Sequence, residues 1–104
     1  MTASAQRAFV DTGAWIALAE QVDPFHDRAA EEWERLGRLG ARTYTSVPVV
    51  VETFTFLQRR GSREAALRWR DSLRMIGRFE VWPCSPEDLE AAFAYFDRND
   101  LHKL

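Results

Sequence analysis

Two carboxylates stand out by what surrounds them. Asp11 follows the apolar run Ala8-Phe9-Val10 and precedes Thr12, Gly13 and the helix-favouring stretch Ala14-Trp15-Ile16-Ala17-Leu18. It therefore closes a predicted central strand, at the carboxyl end where open α/β sheets place their ligands. Glu52 lies about one turn into a second predicted helix, behind a capping serine, Ser46, and an early proline, Pro48. Hard oxygen ligands of this kind suit Mg²⁺ or Mn²⁺, because they leave coordination positions for water and for a phosphate. An ion held this way polarises phosphorus–oxygen bonds and lowers the pKa of an attacking water. The chemistry open to the pair is phosphodiester hydrolysis, with Asp11 and Glu52 as metal ligands and catalytic residues.

Each residue also has a plainer reading. Asp11 or Thr12 can cap the helix that follows, and a glutamate early in a helix complements the positive end of its dipole. Val49, Val50, Thr53 and Phe54 around Glu52 suggest a buried helix, in which an unpaired carboxylate is costly. Thr12 can also donate a hydrogen bond to a ligand carboxylate. Asp97 and Asp100 could add oxygens to the site or stand as solvated turn residues. His26, His102 and the single Cys84 have no partners at zinc-ligand spacing. Arg59, Arg60 and Arg63, with Arg68, Arg70 and Arg74 on the next helix, could steer phosphates or form a solvated face.

The elements that must position these residues can be read from the pattern. A chain of 104 residues is one domain in size. Its 46% hydrophobic content, four Trp and seven Phe set it apart from disordered sequences. One cysteine and the absence of any long apolar run point to a cytoplasmic protein with no membrane segment. The formal charge of −2 provides no global basic field for nucleic acid. After a loose tail at residues 1–7, the strand Ala8 to Asp11 leads into a helix to Ala19. A second helix begins near His26, with Ala29, Ala30, Trp33 and Leu36 on one side, the four-apart pairs Glu31–Arg35 and Glu34–Arg38 on the other, and Gly37 and Gly40 as its stop. Thr43 to Ser46 reads as a strand, followed by a helix to Arg60. Ser62 caps a helix with the stripe Ala66, Trp69, Leu73 and Ile76, and Arg78 to Trp82 forms a third strand. Ser85-Pro86-Glu87-Asp88 opens a last helix with a capping box, with Leu89, Ala92, Phe93 and Phe96 on one side. Strands separated by helices imply an α/β domain with a parallel sheet. Trp15, Trp33 and Trp69 are expected in the core or at a dimer contact.

The entry Val10-Asp11-Thr12-Gly13-Ala14-Trp15, the stretch Thr45-Ser46-x-x-Val49-x-x-Glu52 and the helix pair between them resemble the PIN-domain family, in particular its VapC-type toxin ribonucleases. The resemblance spans residues 8–104. It implies a three-layer α/β/α sandwich, and four acidic positions that bind Mg²⁺ or Mn²⁺ and cleave single-stranded RNA under the control of a cognate antitoxin. Asp11 and Glu52 match the first two positions. The other two are expected beyond Leu104, which makes the fold C-terminally incomplete and leaves the first strand with an open apolar edge suited to a homodimer. The alternative is a non-catalytic antitoxin-binding or dimerisation module of the same fold. Phosphate-cradling glycine motifs are absent, and no second aspartate follows Asp11 by two positions, which argues against a haloacid-dehalogenase-like phosphatase.

Overall fold

The computed structural model describes residues 6–77 and 79–96, without the side chains of residues 92, 95 and 96. Asp97, Asp100 and His102 lie outside the described residues, as do the side chains of Ala92 and Phe96 that were expected on the last helix. The elements run β1 (Arg7–Phe9), α1 (Thr12–Ala19), α2 (His26–Arg38), β2 (Arg42–Ser46), α3 (Val47–Arg60), α4 (Arg63–Leu73), β3 (Phe79–Trp82) and α5 (Pro86–Phe96). This is the expected order of strands and helices.

The three strands form a parallel sheet in the order β1-β2-β3, with Ala8 opposite Thr43 and Thr45 opposite Val81. Among the described residues β2 is therefore the middle strand and β1 is an edge, as expected if the strand that would flank β1 lies beyond them. β1 begins at Arg7 and pairing continues past its end, since the Val10 amide donates to the Tyr44 carbonyl at 2.7 Å. The side-chain period of two sends Val10, Thr45 and Phe79 toward the helices and Phe9, Tyr44 and Trp82 to the opposite face. There the Tyr44 and Trp82 rings meet at 4.8 Å, and Phe9 is 54% exposed.

Local chemistry sets the helix ends. Ser46 and Ser62 cap α3 and α4 by accepting from the amides of Val49 and Ala65. Ser85 and Asp88 exchange reciprocal bonds at the start of α5, and the Ser85 amide holds the Asp88 carboxyl below its ordinary range. Gly40, at φ 64°, supplies the left-handed turn that releases the chain from α2 into β2. Gly37, expected as a stop, lies inside α2 instead, because a single glycine reduces helix stability without ending the helix. Of the two ion pairs expected on α2, Glu34–Arg38 is present and Glu31–Arg35 is replaced. Arg35 bonds Glu32, three residues away, rather than Glu31, while Arg38 and Glu34 stand 3.9 Å apart.

Trp15 organises the core. Its ring lies 5.7 Å from Trp33 of α2, 5.8 Å from Trp69 of α4 and 5.8 Å from Phe79 of β3, with Leu57 of α3 in the same cluster. Tilted and edge-on contacts at these distances are the favourable geometries for aromatic pairs. The three tryptophans are core residues. At the centre is Thr45, which is fully buried. Its hydroxyl donates to the Val10 carbonyl at 2.8 Å and accepts from the Trp15 indole at 3.1 Å. Thr45→Val keeps the shape but strands a buried donor and a buried acceptor, so it should lower unfolding stability by about 2–4 kcal/mol. Urea titration should show an earlier midpoint with an unchanged slope; an unchanged midpoint would refute the role given to this hydroxyl.

Candidate active site

Asp11 sits in the short link between β1 and α1, with extended backbone angles that make it the helix N-cap. Its Oδ1 accepts from the Ala14 amide at 2.9 Å. The capping role is therefore real and occupies one carboxylate oxygen. The second oxygen has no partner among the described residues, and Asp11 as a whole is exposed.

Glu52 reaches the same place from another element. It lies roughly one and a half turns into α3, and its Oε1 accepts a short hydrogen bond from the hydroxyl of Thr12, the residue next to Asp11. Thr12 is half-buried and so serves as a fixed donor. The sequence suggested that Glu52 belongs to a buried helix, where an unpaired charge would be costly. The structure corrects this: Glu52 is exposed, and the buried side of α3 is carried by Thr53 and Leu57. The valine run misled because α3 exposes part of its apolar surface, with Val51 at 59%.

Both carboxylates are thus attached to the first turn of α1, Asp11 through the Ala14 amide and Glu52 through the Thr12 hydroxyl, and each has a second oxygen without a partner among the described residues. Among the described residues no group of three His, Cys, Asp or Glu side chains is close enough to share a metal ion. His26 is placed elsewhere, its Nδ1 lying 2.7 Å from the Ala17 carbonyl, where it fastens the start of α2 to the end of α1.

A groove of about 930 Å³ opens from Asp11 along the seam between α1 and α2. Gly13, Ala14, Ala17 and Ala29 form its floor, and Arg28, Arg35 and Arg38 stand along its α2 wall with Glu31 and Glu32. None of the six arginines of α3 and α4 considered from sequence lines it. Of these, Arg60 lies over the Phe56 ring at 5.3 Å, and Arg70 and Arg74 pair with Asp71. The groove arginines were legible only as a helical spacing of seven and then three along α2, a pattern shared by many solvated helix faces.

The chain belongs to the PIN domain family, whose profile matches residues 8–104. Within that class it is similar to the crystal structure of VapC20 from Mycobacterium tuberculosis, a toxin that cleaves the sarcin–ricin loop. The two superpose with a TM-score of 0.72 at 27% identity, over 93% of this chain and 72% of that one. A search of curated proteins gives no match. Among the described residues no helix is long and apolar enough to cross a membrane.

The double duty of Asp11 separates fold from chemistry. Asn caps as well as Asp, whereas Ala cannot cap. Asp11→Ala should therefore lose about 1 kcal/mol of stability, while Asp11→Asn should melt close to the parent. Thermal unfolding followed by circular dichroism would expose a wrong cap assignment as equal melting of the two variants.

Proposed function

We propose that the protein is a metal-dependent endoribonuclease of the VapC toxin type, cutting single-stranded RNA. One observation carries this reading: Glu52 of α3 is hydrogen-bonded to Thr12, the residue next to Asp11, and each carboxylate keeps one oxygen without a partner among the described residues. Family membership and the likeness to a sarcin–ricin-loop-cleaving toxin support it.

The donor set fits Mg²⁺ or Mn²⁺, since Mg²⁺ is commonly held by one or two carboxylates together with water and substrate phosphate. When bound, such an ion supplies polarisation of the scissile phosphate and a more acidic attacking water. Asp11 and Glu52 would hold it, and their remaining negative charge orients a water toward phosphorus for attack opposite the departing ribose oxygen. Thr12 fixes the direction of the Glu52 carboxylate, and the N-terminus of α1 adds a positive field that favours a phosphate nearby. The partners on this reading are RNA and a cognate antitoxin protein, and the compartment is the cytoplasm, consistent with the free, exposed thiol of Cys84. Among the described residues β1 is an edge strand, and that edge, with exposed Phe9, is suited to pairing with a second copy as a homodimer.

Two measurements test the proposal. Cleavage of a single-stranded RNA should require Mg²⁺ or Mn²⁺ and fall by at least two orders of magnitude in Asp11→Asn, roughly the loss expected when a group central to the chemistry is removed. Full cleavage by that variant would end the nuclease reading. RNA and antitoxin binding without cleavage at any metal concentration would favour the non-catalytic module. Thr12→Val should weaken Mn²⁺ binding about 10–100-fold, the usual effect of removing a partner that orients a ligand. Titration calorimetry giving parental affinity would show that Glu52 needs no such support.

A further inference from the structure

The α1–α2 groove begins at one of the two proposed metal ligands and continues well beyond it. Its direction follows from the packing: the start of α2 is fastened to Ala17 near the end of α1, and Trp33 lies against Trp15. The helices are therefore antiparallel, which places Arg38 at the Asp11 end of the groove and Arg28 at the far end. Ten residues of helix separate the two, a span of about 15 Å.

The three arginines of the wall are not equivalent. Arg35 is engaged by Glu32 through two of its nitrogens, and that bond raises its pKa and lowers that of Glu32. Arg38 is held only loosely, with Glu34 at 3.9 Å. Arg28 makes no ion pair among the described residues. Beside Arg28 is Phe25, which lines the groove and is 61% exposed, its amide fixed by the Asp23 carboxylate at 2.8 Å. The groove also carries Asp11, Glu31 and Glu32, so it has no net positive field, and what it offers a single strand is local: two guanidinium groups, Arg28 without an ion pair among the described residues and Arg38 loosely held, and an aromatic face for stacking.

Resting on the ribonuclease reading above, we infer that the α1–α2 groove is the path of the RNA strand leading away from the cut. Arg38 grips a phosphate near the cleaved one, Arg28 grips a phosphate a few nucleotides further on, and Phe25 stacks a base. The span of about 15 Å is several times the ~3.4 Å rise per nucleotide of a stacked strand, so a short segment bridges the two grips. Arg35, neutralised by Glu32, serves as wall rather than as a grip.

The test uses Asp11→Asn protein without added metal, so that binding is read apart from cleavage, with a fluorescent oligouridylate as probe and anisotropy measured across a salt series. Arg28→Gln and Arg38→Gln should each weaken binding about 3–10-fold, and each should lower the slope of log affinity against log salt by about 0.7, the value for one phosphate contact on a single strand. Phe25→Ala should weaken binding roughly fivefold or more with the slope unchanged, because stacking releases no counterions. Arg74→Gln, paired on another surface, should match the parent. Parental affinity and slope in both groove arginine variants would overturn the path while leaving the ribonuclease reading intact. No RNA binding by the Asp11→Asn parent would also overturn the path, while the ribonuclease reading stands or falls separately on metal-dependent cleavage by the unmodified protein. Unchanged RNA binding together with lost binding of a polyglutamate peptide would assign the groove to an acidic polypeptide and overturn the proposal.

Discussion

The hydroxyl of Thr45 is the point on which the molecule's geometry turns. It joins the Val10 carbonyl, one residue before Asp11, to the Trp15 indole at the centre of the core. The next residue, Ser46, caps α3 and so starts the helix that presents Glu52. A single buried group thus ties β1 to β2 and α1 to the sheet, one residue before the cap of α3. Burial is what gives it that authority, since away from water an unmade hydrogen bond has no substitute. The site at the surface inherits its precision from this dry contact beneath it.

Much of the fold was legible because local chemistry and global packing agree. Serines stand where α3, α4 and α5 begin, a left-handed glycine stands where α2 gives way to β2, and the tryptophans fall on the inward faces of their helices. Such consistency makes a sequence readable from short windows. What failed were inferences about surroundings. Glu52 looked buried because valines precede it, yet how much of a helix is covered depends on elements elsewhere in the chain. Arg35 chose Glu32 over Glu31 because neighbours three and four apart on a helix are nearly equidistant, and rotamer preference decides between them.

The candidate site was legible in identity and only partly in geometry. Asp11 and Glu52 were identifiable as residue types at suggestive places, and Thr12 as a donor beside one of them. That Thr12 would reach across to Glu52, forty positions away in the chain, is a tertiary fact. The groove was harder still, because a bare arginine and a paired one are written with the same letter. Only coordinates separate Arg28 from Arg35.

The bond between Thr12 and Glu52 also has a kinetic side. Its partners, like the Val10 and Thr45 pair beneath it, belong to segments far apart along the chain, joined through parallel pairing that cannot form by a tight turn. Contacts of this kind come late in folding, after the loop between them has closed against its entropy. A half-folded or half-synthesised molecule therefore carries Thr12 and Glu52 without the bond between them, which arrives only with the sheet.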